Sequence, residues 1–297
     1  MTFLLHGKKF SKEVGEEIIK FINSAISQNI DIIYTETFYK LLEKILIKSN
    51  NNSGNTISFS SKLPKKIDYL ICFGGDGTIL NAITIVKKTK IPIVGINTGR
   101  LGFLATISKY ELSGLIKKLK KKKYSISRRA LLEIKEKNNE IKFPFALNEI
   151  SVASKENTSM IKIKVLLNNE YLNTYWADGL MISTPTGSTG YSLSCGGPIV
   201  MPNSKNFIIT PIAPHNLNVR PLIVSDEHIV KIEIIDNHKN KFLLSMDSRN
   251  QYLNKNQSIT IKKAKFEINL VELKSTSYSK TLREKLLWGL DTRNYEN

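Results

Sequence analysis

Cysteine is scarce in this 297-residue chain: Cys72 and Cys195 are far apart and share no C-x-x-C spacing. That excludes a disulfide framework and a cysteine-based zinc site, and both thiols are expected to be buried and free. The four histidines, His6, His215, His228 and His238, are equally scattered. Neither a metal triad nor a Ser/His/Asp relay can be read from their spacing, which counts against a hydrolase. No apolar run approaches the ~18 to 20 residues of a membrane-spanning helix, so no membrane partner is expected. The opening MTFLLHGKKF places lysines after a short apolar patch, whereas a secretory leader places charge before a longer one. A cytoplasmic protein is the expectation. Acidic residues are outnumbered, 26 against 44 Lys and Arg, for a net charge of +18.

The hydrophobic fraction of 41% and charged fraction of 24% are ordinary for a globular chain, which excludes wholesale disorder. At roughly 150 residues per domain the length suggests about two domains. The positive charge favours anionic partners such as nucleotides, phosphates or nucleic acid, or it reflects a coding bias toward Lys, Ile and Asn. Its densest cluster is Lys117, Lys118, Lys120 to Lys123, Arg128 and Arg129. Cations at a helix C-terminus are favoured by the dipole, and only Tyr124 offers a ring nearby, so no nucleic-acid groove is expected.

Hydrophobic periodicity predicts alternating strands and helices up to about Tyr124: strands at Phe3 to Leu5, Asp31 to Tyr34, Ile67 to Phe73 and Ile91 to Ile96. Helices are expected over Ser11 to Ser27, Tyr39 to Lys48, from the glycines after Phe73 through Val86, and over Lys109 to Lys123. A polar loop is expected from Ser49 to Thr56. That alternation builds a parallel sheet covered on both faces. Beyond Tyr124 the pattern becomes mainly β, with strands at Leu131 to Lys135, Glu149 to Ala153, Ile161 to Leu167, Leu180 to Ser183, Ile229 to Ile234 and Ser258 to Lys262. Asn168 and Asn169 suit a hairpin turn. No flexible linker separates the halves.

Two constellations carry chemistry. Gly74-Gly75-Asp76-Gly77-Thr78 directly follows a predicted strand and opens a helix. At such a place glycines let a phosphate or sugar approach the backbone, first-turn amides favour an anion, and the carboxylate reaches the crevice. Asp76 there can accept a substrate hydroxyl, act as a base, or hold Mg²⁺ between phosphate oxygens. The loop fits neither G-x-x-x-x-G-K-[ST] nor G-x-G-x-x-G, so a P-loop NTPase and an ordinary dinucleotide dehydrogenase lose support. The second constellation is Asp178-Gly179, then Thr184 to Ser194, rich in hydroxyls and glycine with Tyr191 as a stacking ring, then Gly196-Gly197-Pro198. Between the two lies Asn148-Glu149, an amide suited to a base edge beside a carboxylate suited to ribose hydroxyls.

Together FGGDGT (Phe73 to Thr78), NTGRLGFL (Asn97 to Leu104), LNE (Leu147 to Glu149), ADGLMISTPTGSTGYSLSCGGPIVMP (Ala177 to Pro202), ITPIAPHNLNVRP (Ile209 to Pro221) and MDSRN (Met246 to Asn250) resemble the bacterial NAD kinases over most of the chain. GGDGT alone is shared with lipid kinases and, in variant form, with phosphofructokinases. The hydroxyl-rich motif with the Asn-Glu pair separates the resemblance from these.

The resemblance implies a fold of α/β plus all-β type. An N-terminal α/β, Rossmann-like domain (1–124) carries GGDGT, a C-terminal β-rich, β-sandwich-like domain (125–265) binds NAD, and the last segment (266–297) returns to the first domain, with substrate between the two. It implies transfer of the ATP γ-phosphoryl group to the adenosine ribose 2′-hydroxyl of NAD, with Mg²⁺ or another divalent cation, and a homodimer or homotetramer. Polyphosphate is the other donor to consider. Asp76 matches the proton acceptor and Gly77 an adjoining NAD contact, while Gly74, Gly75, Gly77 and Thr78 suit phosphate. Asn148 and Glu149 match the base and ribose pair, Asp178 a nicotinamide-side contact, and Thr189, Gly190, Tyr191, Ser192, Leu193 and Ser194 the segment around adenosine. Phe103 resembles an apolar wall near adenine. No protein-held metal ligand is expected. Gly190, Trp176 and Arg249 stand where alanine, arginine and glutamine are common. Two readings stay open on the residues alone: another GGDGT kinase with a lipid or sugar acceptor, and a non-catalytic basic nucleotide-binding module.

Overall fold

The computed structural model describes residues 1–49, 57–59, 66–135, 141–154, 160–235, 241–254, 258–275 and 277–289. The chain divides into two compact units, Met1–Ser127 with Ile268–Asn297, and Arg128–Glu267. The polar loop expected over Ser49 to Thr56 falls, beyond Ser49, outside the described residues.

In the first unit the apolar runs form strands β1 (Thr2–Gly7), β2 (Asp31–Thr35), β3 (Ile57–Phe59), β4 (Tyr69–Phe73), β5 (Ile93–Asn97) and β6 (Ile107–Ser108). All pair in parallel, in the order β3-β2-β1-β4-β5-β6. Strands buried on both faces need uninterrupted apolar sequence, and Phe3, Leu4, Leu5, Leu70, Ile71 and Phe73 are all fully buried. The sheet grows outward from β1 through β2 and then resumes on its other side at β4. The carboxyl ends of β1 and β4 therefore flank a topological switch point, where ligands of open α/β sheets bind. Gly7 pairs with Phe73 at that edge, and GGDGT follows at once.

Helix α1 (Lys12–Ile26) starts where the Ser11 side chain accepts the Val14 amide and buries Val14, Ile18, Phe21, Ile22 and Ala25 on one face. Helix α2 (Glu36–Ser49) begins three residues ahead of the expected Tyr39, directly from β2. Helix α3 (Asp76–Val86) follows the glycine turn as expected. The expected Lys109 to Lys123 helix opens instead as a 3-10 turn (Lys109–Glu111), in which Ser108 and Glu111 cap each other, before α4 (Leu112–Lys120). Lys122 adopts a positive φ of 49°, which ends the helix short of Lys123. Phe38, Phe73 and Phe21 form an aromatic layer in this core, the Phe38 and Phe73 rings lying 5.6 Å apart and nearly parallel.

The second unit is antiparallel. Its strands are β7 (Ser125–Lys135, shared across the boundary), β8 (Phe145–Ala146), β9 (Glu149–Ser154), β10 (Ile161–Leu167), β11 (Glu170–Ser183), β12 (Asn206–Pro214), β13 (Leu222–Ser225), β14 (Val230–Ile234), β15 (Lys241–Met246), β16 (Arg249–Asn254) and β17 (Ser258–Glu272). Asn168 and Asn169, both at positive φ, close the β10–β11 hairpin as expected, since both central residues of such a turn need that conformation. Strand β11 reaches back to Glu170, well ahead of the expected Leu180, and changes partners along its length. Its first part pairs with β10, and its last with β9 and β12. The β10, β14 and β17 side and the β16, β15, β9, β12 and β13 side share one apolar core, including Ile163, Ile182, Phe207, Ile232 and Phe242. Arg129, placed by sequence in a solvated basic cluster, is instead buried at 3% exposure, because β7 begins earlier than expected and carries it inward.

Helix α5 (Tyr191–Ser194) belongs to this unit, and α6 (Tyr278–Leu286) to the first. Strand β17 runs ten residues past the expected Lys262, and its Leu270 pairs in parallel with Ile93.

Candidate active site

In the first unit Asp76 is the first residue of α3, and its half-buried carboxylate is held from a second loop. Oδ2 accepts the Phe103 amide at 2.8 Å, and Oδ1 accepts the Leu104 and Ala105 amides at 3.0 Å each. This close wrap depends on Gly102: a Cβ there would stand 2.0 Å from Asp76 Oδ1. Phe103, in the NTGRLGFL segment, is thereby fixed beside Asp76 of GGDGT. Gly75 precedes the helix with no side-chain cap, and Gly75 and Gly77 are exposed. The first-turn amides at Asp76 and Gly77 are thus available to an anion. Thr78 is buried, so its side chain packs under the turn while its amide bonds back to Gly75.

The C-terminal helix α6 adds what the sequence did not reveal. Lys285 Nζ lies 3.5 Å from Asp76 Oδ2 and 4.6 Å from the centroid of the Phe103 ring, and Tyr278 packs its ring on Phe103 at 6.0 Å. Lys285 stands 209 residues after Asp76, and no local pattern marks it.

At the carboxyl end of β1 a cavity of 470 Å³ is lined by His6, Lys8, Lys9, Thr37, Lys40 and Asn81. Burial, with Lys8 adding to it and Asn81 opposing, pushes the His6 imidazole down to about 4, so it is neutral at pH 7. Its Nδ1 lies 3.0 Å from Thr35 Oγ1. The charge of this cavity therefore comes from lysine.

In the second unit a cavity of 350 Å³, near the low end of the ~300 to 1,000 Å³ usual for small-molecule sites, is lined by Glu149, Ser151, Asp178, Tyr191, Ser245, Asp247 and Asn250 among others. The structure thus brings together Asn148-Glu149, Asp178 and the hydroxyl-rich segment. Asn148 Oδ1 and Glu149 Oε2 are buried without a hydrogen-bond partner. Burial, reinforced by the Asp247 charge, pushes the Glu149 carboxyl up to about 8. Asp247, its side chain 1% exposed, accepts the amides of Leu147, Asn148 and Glu149 at 3.1, 2.8 and 3.3 Å. Burial raises its pKa, opposed by these amides and by the Arg249 guanidinium. Arg249 donates to the carbonyls of Phe143 and Phe145 and lies over the Phe143 ring. Its charge is thus spent bracing the strand before Asn148, which sets its role at this non-glutamine position.

The hydroxyl-rich segment is a 3-10 turn (Thr186–Thr189) leading into α5. Many of its hydroxyls build the turn itself. Thr184 Oγ1 donates to Leu147 O and accepts the Gly187 amide, Ser188 Oγ donates to Pro185 O and accepts the Val200 amide, and Thr189 Oγ1 donates to Thr186 O. The Ser192 hydroxyl, expected near a ligand, is 0% exposed and bonded to Thr210 at 3.0 Å, because α5 turns it inward. Ligand-accessible surface is left to Thr189, Gly190, Leu193, the exposed Ser194 and Tyr191, which is 50% exposed. A Cβ on Gly187 would fall 2.1 Å from the Asn148 carbonyl oxygen, so the close approach of the turn to Asn148 at this point requires glycine. At Gly190 an added methyl would meet Glu149 Oε2 at 3.2 Å and Asn148 Nδ2 at 3.3 Å, so glycine there enlarges the space beside the pair. Trp176 stacks on His215 at 4.3 Å on the exposed face of β11 and supplies no charge.

The model described as the ATP-NAD kinase N-terminal domain matches residues 6–124, and that of the ATP-NAD kinase C-terminal domain matches residues 147–273. An NAD kinase of Flavobacterium psychrophilum is 46% identical across 99% of this chain and 100% of its own, and one of Christiangramia forsetii 45% identical over 99% and 100%. The crystal structure of yeast NADH kinase complexed with NADH shares the fold over 98% of this chain and 88% of its own, with a TM-score of 0.86 at 23% identity. A full-length match of this kind, joined to family models covering both units, means that the chain belongs to the NAD kinase family and is an enzyme of that family.

Proposed function

We propose that the chain transfers the γ-phosphoryl group of ATP to the 2′-hydroxyl of the adenosine ribose of NAD, with Asp76 as proton acceptor. The observation that carries the site assignment is the pair of buried, unpartnered atoms on Asn148 and Glu149. Leaving such groups empty costs about 1 to 3 kcal/mol each, and an adenine edge with ribose hydroxyls supplies the missing partners. Asp178 takes the nicotinamide side, Tyr191 stacks on the adenosine portion, Thr189 to Ser194 flank it, and Phe103 is the apolar wall near adenine.

As the 2′-oxygen bonds to the γ-phosphorus, the bond to the β-phosphate oxygen breaks, ADP leaves, and the hydroxyl proton passes to Asp76 Oδ2. Catalysis of this kind rests on positioning and charge stabilisation. The first-turn amides at Asp76 and Gly77 and the lysine-lined cavity at the end of β1 suit the donor's phosphates. The same charge suits inorganic polyphosphate, so both donors belong in the assay.

Among the described residues no three His, Cys, Asp or Glu side chains come together as a metal-ligand set, and the Asp76 oxygens already face three amides and Lys285. These residues do not fit a resident divalent ion. Magnesium enters as the counter-ion of ATP and so as part of the substrate.

The reading includes a cytoplasmic homodimer or homotetramer. No described helix is long and apolar enough to cross a membrane, and β13 carries the exposed Leu222 and Ile223 on a strand paired on one side only among the described residues. Product analysis tests the chemistry: phosphorus NMR of the reaction of NAD with MgATP should show a monoester on the adenosine 2′-oxygen. A phosphate at any other position, or transfer only to a lipid or sugar, would overturn the assignment.

A further inference from the structure

The carboxylate of Asp76 offers about four lone-pair positions, and their partners can be counted. Oδ1 accepts two amides, from Leu104 and Ala105 at 3.0 Å each, and is full. Oδ2 accepts the Phe103 amide at 2.8 Å, and its remaining position faces Lys285 Nζ at 3.5 Å. A substrate hydroxyl that gives its proton to Asp76 has to take the position Lys285 now faces.

Lys285 is held there by more than the carboxylate. Helix α6 is capped by Ser277, which accepts the Lys280 amide at 3.2 Å, and is pinned by the Tyr278 ring on Phe103. The ammonium also sits 4.6 Å from the Phe103 centroid, a cation–π distance that keeps it near when its ion partner is lost. Its side chain is 33% exposed, so the pair with Asp76 is loose and solvent-screened. Loose pairing suits a group that changes partners.

We propose that Lys285 is a catalytic residue that passes from Asp76 to the transferring phosphoryl group. In the free enzyme its charge is matched by the Asp76 carboxylate. When the hydroxyl docks and its proton moves to Oδ2, Asp76 becomes neutral and no longer holds the ammonium. At the same moment the hydroxyl oxygen gains the phosphoryl group, whose oxygens arrive within reach of the same ammonium. One positive charge thus serves a carboxylate before transfer and a phosphoryl after it, with three N–H donors free to reorient. Preorganised charge of this sort, removed by mutation, typically costs about 10² to 10³ in turnover.

This inference rests on the kinase reading above, and the test separates the two. NADP formation from NAD and MgATP is measured for wild type, Lys285→Met and Lys285→Arg, with thermal midpoints and KM for NAD taken alongside. The expected result is kcat about 100-fold lower in Lys285→Met, partial recovery in Lys285→Arg, KM for NAD changed less than about threefold, and unaltered midpoints. Weaker product inhibition by NADP in Lys285→Met should accompany this, since the ammonium would then hold the product's 2′-phosphate. Turnover of Lys285→Met within twofold of wild type overturns the proposal and leaves the kinase reading intact. Equal loss in both variants with lowered midpoints assigns Lys285 to holding α6 and also overturns it. An inactive, folded wild type sinks the kinase reading instead.

Discussion

Glu149 is a carboxyl that burial and the neighbouring Asp247 push up to about 8 from an ordinary 4.5. A folded-state pKa above the unfolded value means the native protein holds an extra proton between the two. Its contribution to stability is therefore full below about pH 4.5 and is lost as pH rises to about 8. Urea unfolding of wild type should show stability falling from pH 5 to 8 by more than in Glu149→Gln, and parallel profiles would contradict the assignment. Ribose hydroxyls donate best to the ionised form, so NAD affinity is expected to rise from pH 7 to 9 in wild type and to stay flat in the variant. Asp247 holds three successive amides around the Asn-Glu pair. Asp247→Ala strands these three donors and removes the carboxylate facing Arg249, and should destabilise the fold by about 3 kcal/mol or more while raising KM for NAD. Unchanged stability in that variant would show that the amides find other partners. Asp76, Asn148 and Glu149 could be singled out as candidates from the sequence because each lies in a local motif. Asp247 and Lys285 were not read as site residues, since their roles come from contacts about 100 and 209 residues away.

At the scale of elements, the strand, glycine turn and helix around GGDGT could be read from a buried run followed by helical periodicity. So could the Asn168–Asn169 hairpin. Strands β12, β13, β15 and β16 could not, and β17 was cut short at Lys262. Its alternation of buried and partly exposed residues slips phase at Lys262 and Lys263, so a search for strict period two stops there. The 3-10 turn Thr186–Thr189 was read as hydroxyls offered to a ligand, whereas most of those hydroxyls close the turn. Gly187 is the sharper determinant of this element. Gly187→Ala would drive a methyl into the Asn148 carbonyl, and should abolish NAD binding measured by calorimetry even where soluble protein is recovered. Normal affinity would mean the turn relaxes freely. At the end of β1, Lys8→Ala with Lys9→Ala should raise KM for ATP about tenfold and leave KM for NAD within twofold. A shift in KM for NAD alone would move the donor away from this cavity.

Across the whole molecule, charge of one sign and carboxylates at one site coexist. The net charge is +18, yet the second unit's cavity is lined by Glu149, Asp178 and Asp247. On the proposed reading, long-range attraction acts mainly on the polyanionic donor, while the carboxylates are left to select hydroxyls and amides of the acceptor. The value of kcat/KM for ATP should fall with ionic strength more steeply than that for NAD. The alternation of strands and helices, followed by a β-rich half, made the fold class legible, because buried parallel strands and half-exposed antiparallel strands leave different patterns in sequence.

Phosphorylation of NAD through Asp76 is tested most directly by NADP formation from NAD and MgATP, measured for wild type and Asp76→Asn. An NADP-specific dehydrogenase reads the product, and NAD affinity and the thermal midpoint are measured on the same samples. The expected result is robust NADP formation by wild type and at least a 100-fold loss in Asp76→Asn with NAD still bound, within the range seen for loss of a positioned acid or base. Equal turnover in the two proteins, or a folded wild type that makes no NADP from ATP or polyphosphate, would contradict it.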